Sequence, residues 1–257
     1  MTAPLSSIKK ALKILQIFSQ DYPDLGVTEI SRILGVHKSS VSRIIGTLAS
    51  EGFLEKNPSS GKYRLGLKLI DLGNRVLSRY DLRDHATPFM EELAKRTGEI
   101  IHLSILDKNE IVYLDKKGEG QALTIGTKVG GRNPAHASSM GKVLLAGVSH
   151  QELMNILSLG PLVPCTSSTI TKTSQLLKEL EKVRKQGFAM DNEESFPGIR
   201  CVAAPIYDRE GKVVAALSVT APRQRMGQER MKEIKRQVIE TARSISRRIG
   251  MGESRTE

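Results

Sequence analysis

The chain has 257 residues, 39% of them hydrophobic, so it is long enough to bury one large core or two ordinary ones. Its formal net charge of +11 favours a polyanionic partner, such as nucleic acid or an anionic membrane surface. No apolar run approaches the roughly 18 residues that a membrane-spanning helix needs. The N-terminus also lacks the pattern of a signal peptide, so we expect a cytoplasmic protein with no membrane partner.

The positive charge is concentrated near the N-terminus. Residues 1–80 contain 12 Lys and Arg against 6 Asp and Glu, whereas residues 81–257 contain 27 against 22. This asymmetry is typical of a polyphosphate-binding module joined to a less charged domain. Aromatic residues make up only 4% of the chain and tryptophan is absent, which disfavours a base-stacking surface for single strands.

Two helices are predicted first, the second of them short. The cap candidates Ser6 and Ser7 precede a helix with one apolar stripe, formed by Ile8, Ala11, Leu12, Leu15 and Phe18. Thr28 is predicted to cap the second helix, and Gly35 to end it. Only residues 35–37 then separate this helix from a third, which is the spacing of a helix-turn-helix.

The third helix, KSSVSRIIGTLASEG, has an apolar and a polar face. The apolar face carries Val41, Ile44, Ile45 and Leu48. The opposite face carries short hydrogen-bonding side chains, a glycine and Arg43, a surface that can enter the major groove. A solvated helix face is the alternative for this pattern taken alone.

A basic hairpin follows the third helix. After Gly52, the segments FLEKN and KYRLG alternate as short strands around the turn PSSG. A helix-turn-helix followed at once by such a hairpin predicts a winged helix that binds double-stranded DNA. The predicted DNA-contacting residues are Lys38, Ser39, Ser40, Ser42, Arg43, Thr47, Lys56, Lys62 and Arg64.

The rest of the chain predicts an α+β domain. The segment LGLKLIDLGNRVLSRY is expected to form a linker helix, with Leu65, Leu69, Leu72 and Val76 at helical spacing. A helix at DHATPFMEELAKRTG and a meander of EIIHLSILD, EIVYLDKK and ALTIGTKV follow, then a loop, GGRNPAHASS. Helices at MGKVLLAG, QELMNIL and TSQLLKELEKVRKQ precede strands GFAMD, RCVAAPIYD and KVVAALSVTAP, and a basic helix from Gln228 to Gly250 ends the domain.

This order predicts a mainly antiparallel sheet covered by helices. The expected divisions are a winged helix-turn-helix at residues 1–65, a linker helix at 66–80, a second domain at 81–250 and a disordered tail at 251–257.

Enzyme chemistry is the main rival hypothesis for the second domain. The segment HASSMGKV lacks the glycine and the Ser or Thr of a phosphate-binding loop. None of the five histidines is paired at helical ligand spacing, although a metal site assembled across the fold stays open. Cys201 with His102 or His136 is a conceivable thiol nucleophile and base, but a small, inward-facing strand residue is the simpler interpretation of Cys201. Both cysteines, Cys165 and Cys201, are expected to be reduced thiols. We therefore expect no cofactor and no catalysis.

Three segments of the second domain combine polar groups in ways that suit a ligand. Ser138 and Ser139 precede a helix start, where backbone N–H groups attract anions. Asp191 begins the acidic segment DNEESFPGIRC between two strands, and Ser218 and Thr220 share one face of a strand. Each segment also has a purely structural explanation. The serines would cap a helix, the acidic segment would be a solvated loop, and the strand hydroxyls would be hydrogen-bonded within the protein.

The chain resembles the IclR family of transcriptional regulators along nearly its whole length. The resemblance rests on GVHKSSVSRIIGTLASEGFLE, KYRLG, HASSMGKVLLA, DNEESFPGIRCVAAPIYD and ALSVTAP. It implies a GAF-like sensor domain with a pocket for a small organic or aromatic acid. The residues that it implies for ligand binding are Ser139, Met140, Asp191, Ile199, Cys201, Ser218 and Thr220. Many members have a glycine or a threonine-alanine pair where this chain has Ser139-Met140, and Met140 implies a pocket that is narrower or more apolar.

The resemblance also implies a homodimer, or a dimer of dimers, on a palindromic operator. We therefore expect a DNA-binding regulator that responds to a small carboxylic acid. A repressor is expected rather than an activator. A ligand-binding or thiol enzyme and a purely architectural DNA binder are the rival hypotheses.

Overall fold

A computed structural model describes residues 6–19, 21–77, 81–118 and 126–250. The chain divides into two compact units, Met1–Arg79 and Tyr80–Glu257. Among the described residues, no helix is long and apolar enough to cross a bilayer.

The N-terminal unit is a winged helix-turn-helix, as the sequence predicts. Its elements are α1 (Ser6–Gln16), α2 (Val27–Leu34), α3 (Lys38–Ser50), β1 (Leu54–Lys56), β2 (Tyr63–Leu65) and α4 (Lys68–Leu77). Strands β1 and β2 pair antiparallel, with Leu54 opposite Leu65. Six buried side chains fill the core, namely Ile14, Leu25, Ile30, Val41, Ile45 and Leu54. Gly35 ends α2 with a φ of +62°, a left-handed conformation that glycine adopts without steric cost.

Two predicted details of this unit are wrong. Helix α1 buries Ile14, whereas Ile8 and Leu12 are each 55% exposed. Leu15 and Phe18 of the expected stripe do pack against the core, so the stripe is wrong at Ile8 and Leu12 and misses Ile14. Thr28 lies inside α2, and the N-terminus of this helix is capped by Glu29, whose carboxylate accepts a hydrogen bond from the Gly26 N–H at 2.7 Å.

Helix α4 is shorter than expected, and several apolar side chains around it are exposed. It begins at Lys68, because Leu65 still belongs to β2, and residues 78–80 of the predicted linker helix lie outside the described residues. Leu67 is 72% exposed and Ile70 is 60% exposed. Among its described residues, the unit therefore has apolar side chains that no neighbouring residue of the unit covers.

The C-terminal unit is built on a six-stranded sheet. Its strands are β3 (Ile100–Asp107), β4 (Glu110–Lys117), β5 (Arg132–Pro134), β6 (Ala189–Asn192), β7 (Ile199–Tyr207) and β8 (Val213–Pro222). Their order is β5-β4-β3-β8-β7-β6, with every neighbouring pair antiparallel. The helices are α5 (Asp81–Thr97), α6 (Ser139–Gly147), α7 (His150–Leu157), α8 (Thr173–Gln186) and α9 (Gln228–Gly250).

Helices cover the sheet and confirm the predicted α+β class. Helices α6, α7 and α8 share a buried cluster with alternate residues of the strands, including Tyr113, Ala203 and Ala216. Helices α5 and α9 contact each other, and both contact the sheet. Both faces of the sheet are covered. Val202 and Ala203, which are adjacent on β7 and point to opposite faces, are both fully buried.

Two local predictions in this unit differ from the structure. The predicted strand ALTIGTKV falls partly on residues 122–125, outside the described residues, and residues 126–129 are not in a strand. The predicted loop GGRNPAHASS contains β5, paired with β4, and a short 3₁₀ turn at Ala135–Ala137. The predicted disordered tail, residues 251–257, also lies outside the described residues.

Candidate functional site

The outer face of α3 is the candidate DNA-binding surface. Ser39, Ser42, Arg43, Gly46 and Thr47 are exposed, whereas Val41 and Ile45 on the opposite side are fully buried. A groove of about 530 Å³ runs between α1 and α3, lined by Ser6, Ser7, Lys10, Ser40, Arg43, Ile44 and Thr47. The apolar stripe thus anchors α3 in the core and leaves its polar side chains facing outward.

The cations of this unit differ in their surroundings. Lys62 Nζ lies 3.0 Å from Glu29 Oε1, and Arg64 pairs with Glu55 across the hairpin. Within the described residues, Lys38, Arg43 and Lys56 have no carboxylate partner. An unpaired surface cation is more available to a phosphate or a base, because no internal ion pair has to be broken.

The second candidate site is a buried cavity beneath the first turn of α6. The Ser138 hydroxyl caps this helix by accepting a hydrogen bond from the Gly141 N–H at 3.0 Å. A Cβ on Gly141 would lie 2.0 Å from Ala135 O, so only glycine lets the helix pack this closely on the 3₁₀ turn. This packing brings Ser139 and Met140 to the cavity wall.

Strand register supplies the opposite wall. Thr220 lies opposite Cys201, and Cys201 lies opposite Asp191, so these residues form a row across β8, β7 and β6. Ser218 lies opposite His102 on β3. All of these residues line the cavity, because residues two apart on a strand share a face.

The structure brings together the whole predicted ligand-binding set in this one cavity: Ser139, Met140, Asp191, Ile199, Cys201, Ser218 and Thr220. It adds four residues that the sequence analysis did not connect with a ligand, namely His102, Tyr113, Thr127 and Asn133. It also adds three from the segments identified as suited to a ligand, namely Ser138, Ser195 and Phe196. A histidine inside the apolar run of β3 was the available signal for His102, since a polar residue in a core strand needs a partner.

His102 is a neutral hydrogen-bonding group in this wall. Its Nε2 lies 2.9 Å from Thr127 Oγ1, and its Nδ1 lies 3.3 Å from Thr220 Oγ1. Burial, with the nearby charge of Lys116, lowers the pKa of His102 to about 3. Because the Thr220 hydroxyl donates to Cys201 Sγ, it is free to accept from His102 Nδ1–H.

Cys201 does not have the features of a thiol nucleophile. Burial raises the pKa of its thiol well above the ordinary value, and the nearby Asp191 acts in the same direction. His102 reaches Thr220, and His136 Nε2 lies 3.0 Å from Val163 O. Both cysteines are free thiols, and in the described parts of the chain no cluster of His, Cys, Asp and Glu is arranged to hold a metal.

The acidic segment after β6 closes one side of the cavity. Asp191 is 1% exposed, and its Oδ1 accepts the N–H groups of Glu194 at 2.6 Å and Ser195 at 3.3 Å. Burial raises the pKa of Asp191 to about 6, although these N–H groups and Lys142 oppose the shift.

The same segment is fastened to α6 and to the chain before α8. Lys142 is 1% exposed and lies 2.5 Å from Glu194 Oε1, and it also donates to Met190 O at 3.1 Å. The hydroxyls of Thr166 and Thr169 donate to the carbonyls of Glu193 and Glu194, at 2.6 and 2.7 Å. The segment is therefore held on two sides.

The cavity is small and contains one unsatisfied polar atom. Its volume is about 20 Å³, whereas a pocket for a drug-sized ligand has about 300 Å³ or more. Ser218 Oγ is buried and has no hydrogen-bond partner among the described residues. A buried hydroxyl without a partner costs free energy, so it is a natural point for a ligand to bind.

A winged helix-turn-helix joined to a second, α+β domain defines the class of two-domain DNA-binding regulators. Comparison with known proteins agrees. The model of the IclR helix-turn-helix domain matches residues 7–58, and that of the bacterial transcriptional regulator IclR C-terminal domain matches residues 74–247. The chain belongs to the IclR family, and it is a DNA-binding transcriptional regulator rather than an enzyme.

The similarity extends over nearly the full length of named relatives. The chain is 36% identical to the HTH-type transcriptional regulator XynR of Escherichia coli K12, over 96% of this chain and 98% of that one. It is 39% identical to the regulator KdgR of the same organism, over 96% and 93%. A crystal structure of an IclR homologue from Microbacterium hydrocarbonoxydans, complexed with 4-hydroxybenzoate, has a TM-score of 0.84 at 28% identity, over 96% and 100%.

Proposed function

We propose that the protein is a repressor whose binding to its operator is modulated by a small organic or aromatic acid bound in the C-terminal unit. The observation that carries this proposal is the convergence of α6, β6, β7 and β8 on one buried cavity with an unpartnered hydroxyl, Ser218 Oγ. The complex of the Microbacterium homologue with 4-hydroxybenzoate supports an acid of this type.

On DNA, α3 enters the major groove. Arg43 is the candidate for reading a base, because it is exposed, central on the outer face and without a carboxylate partner among the described residues. Lys38 and Lys56 contact phosphates, with Ser39, Ser40, Ser42 and Thr47 adding hydrogen bonds. Lys62 and Arg64 are positioned by Glu29 and Glu55 and contribute less to affinity.

In the cavity, the acid places its carboxylate at the start of α6. The first N–H groups of a helix attract an anion, and Ser139 and Ser218 offer hydroxyls beside them. Met140 and Ile199 then contact the apolar part of the acid. The cavity must widen for this, and Met140 is suited to move because its unbranched side chain has several rotatable bonds.

A second copy of the chain covers the apolar surface of the N-terminal unit. Ile8 and Leu12 on α1, with Leu67, Ile70 and Val76 around α4, are each more than half exposed. Exposed apolar side chains in such number favour an interface. A homodimer, or a dimer of dimers, then presents two copies of α3 to a palindromic operator.

The test is fluorescence anisotropy with a labelled fragment of the gene's own upstream region. The titration is repeated with benzoate, 4-hydroxybenzoate, lactate and pyruvate, each also screened by thermal shift. We expect specific binding that at least one acid weakens, together with a higher Tm. A reporter fused to the same region should rise when the gene is deleted. Specific DNA binding that no acid alters, with no shift of Tm, would indicate an architectural protein.

A further inference from the structure

We propose that the effector is a monocarboxylic acid, and that it binds with one proton shared between its carboxylate and the carboxyl group of Asp191. This inference rests on the proposed function, because it concerns the same cavity. It specifies the charge and protonation state of the bound acid.

The charge of the cavity wall leads to this inference. Within the described part of the chain, no lysine or arginine lines the cavity, and His102 is neutral. Lys142, a buried cation whose charge acts on Asp191, already pairs with Glu194 at 2.5 Å and donates to Met190 O. A carboxylate that enters the cavity therefore meets hydroxyls, N–H groups and the carboxyl group of Asp191, without a free positive charge.

Two carboxylates cannot both stay ionised in a small buried space. The like charges repel each other at low effective dielectric, and one site then holds a proton. Asp191 is suited to hold it, because its burial already favours the neutral form and raises its pKa to about 6. The proton comes from solvent and lies between the two carboxyl groups.

The titratable groups that face Asp191 from the neighbouring elements do not add a net charge that would remove the shared proton. Cys201 on β7 and Tyr113 on β4 both have pKa values raised by burial, so both are neutral. Lys142 and Glu194 compensate each other, the one lowering and the other raising the pKa of Asp191. Cys165 is an exposed thiol outside the cavity wall.

Proton uptake gives the proposal a direct readout. Calorimetric titration with 4-hydroxybenzoate, or with the panel acid that raises the Tm most, is run in HEPES and in Tris, whose ionisation enthalpies differ. At pH 8 we expect uptake that approaches one proton per acid bound, and an affinity roughly tenfold weaker than at pH 7. Below pH 6 the affinity should level off, since Asp191 is then already protonated. The neutral analogue 4-hydroxybenzamide should bind with no proton uptake.

Two variants separate this mechanism from other sources of pH dependence. Asp191→Asn should abolish the uptake and flatten the affinity between pH 7 and 8. Glu193→Gln is the matched control, because it removes a charge from the same segment at a side chain that pairs with Arg223 outside the cavity, and it should leave the uptake unchanged.

The outcomes distinguish the two proposals. An acid that binds to the unaltered protein without proton uptake would overturn the shared proton and leave the proposed function standing. A dicarboxylate that binds as tightly as its monocarboxylate counterpart would also contradict the shared proton. If no acid binds between pH 5 and 8, the proposed function fails, and the shared proton with it. Proton uptake measured on the unaltered protein tests the shared proton even if Asp191→Asn does not fold.

Discussion

The buried pair of Lys142 and Glu194 gives the sharpest test of the C-terminal unit. The Lys142 side chain is 1% exposed and that of Glu194 is 10% exposed, at a separation of 2.5 Å. Lys142→Met keeps most of the side-chain volume but leaves a carboxylate buried without its cation. Removing one member of a buried pair costs about 3–5 kcal/mol, and we expect a loss of this size in the free energy of unfolding.

Urea denaturation followed by circular dichroism measures this loss. Lys178→Met is the matched control, since Lys178 is exposed on α8, and it should change the free energy of unfolding by less than about 0.5 kcal/mol. The double variant Lys142→Met with Glu194→Met should recover most of the stability, because no charge is then buried. A loss below about 1 kcal/mol for the single variant, or no recovery in the double variant, would refute this reasoning.

Three further predictions concern other parts of the chain. Arg43→Ala should weaken operator binding by about 1–3 kcal/mol in an anisotropy titration. Lys56→Ala removes a phosphate contact, so it should weaken binding to all DNA sequences alike. Because burial raises the pKa of Asp191 from 3.8 to about 6, stability should fall as pH rises through that window. The fall is at most about 3 kcal/mol, and Asp191→Asn should lack it in denaturant titrations at several pH values. Ile70→Glu should shift the protein toward the monomer in light scattering, and an unchanged mass would contradict the assigned interface.

Much of the fold follows from patterns that sequence carries locally. Helix α9 spans Gln228–Gly250 as predicted, because its apolar stripe of period 3.6 runs without interruption along a long segment. Helix α1 shows where the pattern is ambiguous. It has apolar residues on two faces, and only packing against α3 decides that Ile14 lies inside and Ile8 outside.

Other features depend on contacts between distant segments. Strand β5 has only three residues, and it forms because β4 offers a free edge for pairing. The place of His102 in the cavity follows from strand register, which puts it opposite Ser218, 116 positions further along the chain. The family resemblance supplied seven cavity residues, but it could not indicate that the buried ion pair of Lys142 and Glu194 holds one side closed.

That ion pair also connects the stability of the cavity with its affinity for an acid. A cavity of about 20 Å³ must widen before an organic acid can enter, so the observed affinity includes the free energy of widening it. The ion pair opposes this widening on the side of the acidic segment, whatever room the movement of Met140 provides. The double variant Lys142→Met with Glu194→Met removes this fastening and leaves no unpaired charge near the incoming carboxylate. If the bonds from Thr166 and Thr169 still hold the segment near Asp191, the double variant should bind the acid more tightly than the unaltered protein. A loss of affinity in the double variant would mean that the closed segment itself forms the binding surface.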